Sequence, residues 1–156
     1  MLSTAHKKVV TLAAAALIGA FGAATVAAPA TAAPVTAPLR AQAPSAGELK
    51  AKLQTAINTG AAPSVRAAEL EAGEAGLPLM DQVAAAMAAT PPSFRWTILG
   101  PTSVSGDTLT AQLQTAVDGF DPFYFDLTWV QIDGTWKLTR ESQCTVASVA
   151  FLPCTV

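Results

Sequence analysis

Histidine is almost missing from this chain of 156 residues: the one copy, His6, lies in the opening stretch MLSTAHKKVV. Lys7 and Lys8 stand ahead of an apolar run from Val9 to Val26, and small residues with Pro follow it. That order of basic start, apolar centre and small-residue exit is a secretory signal. Ala30-Thr31-Ala32 fits an A-x-A site, so residues 1–32 read as a signal peptide cut between Ala32 and Ala33. The run is long enough to raise a retained anchor instead, but it is mostly Ala and Gly and no basic stop-transfer cluster follows. His6 leaves with the signal. Without a histidine, Ser-His-Asp and Cys-His machinery cannot be assembled. G-x-S-x-G, the P-loop, G-x-G-x-x-G and the D-x-D-x-D-G calcium loop are missing as well. No catalytic residue, cofactor or metal ligand is expected, and the protein reads as a non-enzyme.

Charge and cysteine are scarce too. After the signal, seven Lys and Arg face eleven Asp and Glu, a net charge near −4. No basic run survives, which argues against a nucleic-acid partner. The only cysteines are Cys144 and Cys154. Neither follows the apolar run, so no lipid anchor is expected and the product is released, with no stable hold on a membrane. Outside the membrane the compartment is oxidising, which makes the pair a disulfide. A structural zinc would need four N or S ligands. Closing so short a loop contributes at most about 2.7 kcal/mol of chain-entropy stabilisation.

What is present is a single domain behind a tether. Residues 33–44, APVTAPLRAQAP, carry three prolines and almost no apolar bulk, and read as an extended tether. Residues 45–156 are long enough for one core. Ser45 and Glu48 match a capping box, with the Ser45 hydroxyl worth about 1 kcal/mol. Leu49, Leu53, Ala56 and Ile57 recur at helical spacing up to Gly60. A second helical piece is expected over Ser64 to Leu70. The acidic group Glu69, Glu71 and Glu74 reads as a solvated helix end and turn rather than a ligand site. A third helix, Leu79 to Thr90, buries Leu79, Val83 and Met87 and stops at Pro91-Pro92.

Beyond Pro92 the period drops to two. Phe94, Trp96 and Ile98 alternate with Arg95 and Thr97, and GPTSVSGD (100–107) reads as a loop. Leu109, Ala111, Leu113 and Val117 share a face in the next strand. Asp118 and Asp121 sit in a turn beside Pro122, where Asp is a good turn former. Asp133-Gly134 then predicts a type I′ hairpin with Ile132 opposite Thr135, Gln131 opposite Trp136, Trp129 opposite Leu138 and Leu127 opposite Arg140. Leu127, Trp129, Trp136 and Leu138 form the core face. Asp126 and Lys137 fall on the other side. The inner face offers Thr115, Gln131 and, at its rim, Arg140, but no Asp or Glu to serve as acid or base. Helices first and an antiparallel meander after make this an α+β fold, with N-terminal helices on a curved four-stranded sheet. A final helix is expected from Arg140 to Ala150.

AELEAGEAGLP, DQVAAAMAA, FRWTILGP, GDTLTAQLQT and DGTWKLTRESQC together resemble the low-molecular-weight secreted T-cell antigen family of mycobacteria and related actinobacteria. The sharpest pieces are Ala68 to Gly73, Val83 to Met87 and Trp136 to Ser142, none of them a catalytic motif. The resemblance implies a secreted α+β domain, cystatin-like or nuclear-transport-factor-2-like in outline, that immune cells recognise as an antigen. Two functional readings follow. One is a non-enzymatic domain working through protein contacts at the envelope or with a host. The other is a carrier of a small apolar ligand or lipid, in a pocket between the helices and the face of Trp96, Trp129, Trp136 and Leu138, which as plain core would leave no pocket. The leader is directly testable: intact-mass analysis of protein secreted by its host should give a chain beginning at Ala33, whereas a mass that includes His6 would mean a retained leader.

Overall fold

The computed structural model describes residues 42–154 and 156. The expected signal, its Ala32–Ala33 cleavage point and most of the 33–44 tether lie outside the described residues. The described chain runs through helix α1 (Ala46–Ile57), helix α2 (Pro63–Ala67), a 3-10 turn (Gly73–Gly76) and helix α3 (Leu77–Ala88). Strands β1 (Arg95–Ser105), β2 (Thr108–Ala116), β3 (Phe123–Ile132) and β4 (Thr135–Leu138) follow, then helix α4 (Arg140–Val149). The strands form one antiparallel sheet in the order β1-β2-β3-β4. The sheet is open, and helices and strands share one core: the fold is α+β.

The start of α1 is set locally. Glu48 N–H donates to Ser45 Oγ at 3.3 Å, and Ser45 N–H donates back to Glu48 Oε2 at 2.7 Å. That backbone bond, with a second from the Ser45 hydroxyl, holds the Glu48 carboxyl below its ordinary value. The box is therefore complete at neutral pH and is lost as pH falls through the lowered value. Leu49, Leu53 and Ala56 are buried, and Asn58 closes the helix two residues before Gly60. Arg66 follows on α2, buried, with Nε donating to Ala56 O at 3.0 Å and a terminal nitrogen to Asp81 Oδ1 at 2.5 Å. One guanidinium thus satisfies the carbonyl end of α1 and ties it to α3.

The turns set the sheet register. Asp133 and Gly134 have φ of 50° and 76°, the two positive values a type I′ turn requires. The pairs Ile132–Thr135, Gln131–Trp136 and Trp129–Leu138 form as expected. Leu127 does not reach Arg140, because the chain leaves the sheet after Leu138 and Arg140 opens α4. Arg140 is exposed on that first helical turn, not at the rim of the inner face. Residues 100–107 are no loop. β1 continues to Ser105, with a register shift between Leu99 and Ser103, and Gly106-Asp107 turns the chain back with Gly106 at φ 60°. Pro101 is tolerated there because β1 is an edge strand. β2 ends at Ala116, so Val117 lies past the strand. α3 runs two residues earlier than its apolar spacing suggested, at both ends, and Met87 is only partly buried.

One junction joins two of the three most distinctive sequence pieces, Ala68 to Gly73 and Trp136 to Ser142. α2 stops at Ala67 rather than Leu70, because the backbone from Glu69 to Glu71 docks on the edge of β4. Leu138 N–H donates to Glu69 O at 2.8 Å and Glu71 N–H to Leu138 O at 2.9 Å. Glu71 Oε2 accepts from Arg140 N at 2.8 Å, and Thr139 caps α4 through Ser142 N. Gln143, fully buried, donates Nε2 to Leu138 O at 3.1 Å. Its Oε1 has no hydrogen-bond partner among the described groups and faces Gly76. A Cβ on Gly76 would strike that oxygen and stand 3.1 Å from Leu70 and 3.2 Å from Ala72. Gly76→Ala should therefore cost about 1–3 kcal/mol in urea unfolding, despite the better helix propensity of Ala. Adding Gln143→Ala should make the double variant lose less than the two single losses combined; strict additivity would show that the contact is not limiting.

Candidate functional site: an apolar cavity at the open end of the sheet

β4 has four residues and β3 has ten, so the first half of β3 has no strand on its outer side. α4 takes that place, with Thr128 N–H donating to Ser142 Oγ at 2.7 Å and Thr139 N–H to Thr128 O at 3.0 Å. A helix is about 10–12 Å across with its side chains, while strands stand about 4.8 Å apart. The space at this end is a cavity of about 750 Å³. It lies between the C-terminal halves of α1, α3 and α4, the start of β1 and β3, and the end of β2.

Its lining is apolar and contains no ionisable side chain. Leu53, Val83, Leu113 and Val146 form buried parts of the wall. Every phenylalanine after residue 42 contributes: Phe94, Phe120, Phe123, Phe125 and Phe151. Phe120 and Phe123 are exposed, and Phe151 is 98% exposed. The tryptophans divide. Trp96 lines the cavity, with Lys50 Nζ 5.5 Å from its ring centre. Trp129, Trp136 and Leu138 do not line it; they are packed in the core with Leu49 and Leu127. Of the four residues read as pocket or core, Trp96 thus borders the cavity and Trp129, Trp136 and Leu138 are core, while the other aromatic residues of the wall are phenylalanines. A signal for them stood in the sequence. GFDPFYF, residues 119–125, puts three Phe and one Tyr into seven residues, more aromatic surface than a turn needs.

The C-terminus of α4 shapes the mouth. Leu152 N–H donates to Ala147 O and Phe151 N–H to Ser148 O, both at 2.9 Å, which is the Schellman pattern. Phe151 occupies its left-handed position at φ 57°, where glycine is preferred. Cys144 and Cys154 are at disulfide distance, Cα to Cα 5.0 Å, and close the segment that carries Phe151. Asp126 is exposed on the other side of the sheet, and Asp118 pairs with Arg95 in the open. Among the described residues no group of three His, Cys, Asp or Glu side chains is placed to hold a metal ion.

Residues 42–154 match the family model of the low molecular weight antigen MTB12, C-terminal domain. The chain belongs to this family. The match spans the domain described above, including Glu69–Glu71, the β3–β4 hairpin and α4. The MTB12 family is an antigen-type domain and not a known enzyme family. No curated protein matches the chain. Antigen membership and the paired cysteines point to an extracellular protein, and among the described residues no helix is long and apolar enough to cross a membrane. For this MTB12 domain the strained rim is open to measurement. Phe151→Gly should raise stability by about 0.5–1 kcal/mol, since it relieves the left-handed backbone and removes almost no buried surface. A loss of stability would mean that the ring packs in solution.

Proposed function

We propose that this domain is an exported, non-catalytic protein that binds a small apolar molecule in the cavity bounded by the five phenylalanines. The observation that carries this reading is the cavity itself. Its volume is within the range of about 300–1,000 Å³ for small-molecule sites, and its walls are apolar. Core packing alone gives no reason to keep so much space, since an unfilled void forfeits contacts on every side. Concentrating the phenylalanines around it, with Trp129 and Trp136 spent on the core, gives a site suited to aliphatic or aromatic surface. The open sheet with helices over one face is then a cone of the cystatin-like or nuclear-transport-factor-2-like kind, hollow at its wide end. The leader ending at Ala32 and the 33–44 tether accord with export, and the lack of acid or base in the cavity accords with binding rather than turnover.

Contact with a protein of the envelope or of a host is a second reading. It is favoured by Phe120, Phe123 and Phe151, all exposed and all bordering the cavity. Strain at an exposed position points the same way, since a left-handed Phe in place of Gly is retained at a stability cost. Both readings use the same end of the molecule.

Diphenylhexatriene, a hydrocarbon fluorophore without polar atoms, separates them. The exported protein should bind it with one-to-one stoichiometry and a strong rise in emission. Ala86→Phe, which fills the cavity from α3, should reduce binding at least tenfold while the circular dichroism spectrum stays unchanged. Absence of binding by the unaltered protein would discard the ligand reading and leave protein contact.

A further inference from the structure

The cavity lining holds three hydroxyl side chains, and two of them are already occupied. Thr90 Oγ1 donates to Met87 O at 2.7 Å, and Ser148 Oγ donates to Thr145 O at 2.7 Å, each within its own helix or its end. Thr115 differs. It is 5% exposed, it stands on the inner face of β2, and its hydroxyl makes none of the hydrogen bonds found among the described side chains. The other buried polar side chains, Arg66, Ser142 and Gln143, all bond to the protein. Thr115 pairs across the sheet with Trp96 on β1 and Phe123 on β3, so its hydroxyl has an aromatic residue on either side.

Thr115 Oγ1 is not among the fully buried polar atoms that lack a partner, so it keeps access at the cavity wall, where Val would fill the same shape without a polar group. A hydroxyl that lines a cavity and lacks a protein partner is instead available to a guest. Charge on the guest is disfavoured separately, because no ionisable side chain of the lining is there to balance it. We propose that the natural ligand is an uncharged, largely apolar molecule with one neutral oxygen function, an alcohol, ketone or ester, that accepts a hydrogen bond from Thr115 Oγ1. Thr115 is then the residue that selects within the apolar class, with Trp96 and Phe123 packing beside the polar group. The inference rests on the cavity being a ligand site.

Displacement of diphenylhexatriene by four chain-matched compounds at neutral pH tests it: 1-decanol, 2-undecanone, decanoate and decylammonium. The neutral pair should compete at least tenfold better than the ionic pair. Thr115→Val should weaken decanol and undecanone about threefold to tenfold. Each competition is read against that variant's own affinity for diphenylhexatriene, which has nothing to bond, and Thr115→Ser should restore the neutral pair. If the fluorophore binds but the ionic compounds compete as well as the neutral ones, or Thr115→Val changes nothing, the assignment to Thr115 falls and the cavity reading stands. If the fluorophore does not bind at all, both fall together.

Discussion

The docking of the Glu69–Glu71 backbone on Leu138 is the contact on which the rest of this structure depends. Two hydrogen bonds of 2.8 and 2.9 Å give the edge of β4 a partner, at a place where an exposed strand edge would otherwise be a liability. The same few residues then serve the next element. Glu71 accepts from the first N–H of α4, and Gln143 of α4 returns to Leu138 O. Leu70 and Leu138, both buried, bring the docked segment into the core. With glycine at position 76, Gln143 lies against the turn that leads into α3 without displacing a Cβ. Helical layer, sheet edge and final helix are thereby joined within one small region.

That junction has a consequence at the opposite end. Because α4 begins directly after Leu138, the sheet loses its fourth strand halfway along β3, and a helix has to stand where a strand stops. The end near the junction is filled by Trp129, Trp136 and leucines. The end away from it is not filled. The phenylalanines just before β1, in the β2–β3 turn, on β3 and at the α4 terminus border the space there.

The chemistry available there is narrow. The walls are apolar, two hydroxyls are bonded within their own helix or helix end, and the Thr115 hydroxyl makes no hydrogen bond to the described residues. The strained Phe151, held by a Schellman motif and the Cys144–Cys154 pair, places an aromatic ring in solvent at the mouth. Such a ring adds little to the stability of the free protein.

Much of the architecture was legible in the residues because it depends on local rules. The capping box at Ser45, the period-two strands, the Asp133-Gly134 turn and its register, and the helix after Thr139 each follow from contacts a few residues apart. Membership in the antigen family was legible too, from AELEAG and WKLTRES. What the sequence could not decide depends on contacts between distant residues. Leu70 belongs to a sheet edge and not to a helix because Leu138 lies beside it. Residues 100–107 are strand and turn because β2 is there to pair with them. Trp96 borders a cavity while Trp129 and Trp136 do not, although all three share the same alternation, because only the position of α4 determines which end of the sheet is covered closely. Periodicity tells which side of a strand is apolar; whether that side meets another side chain or empty space is decided by tertiary packing.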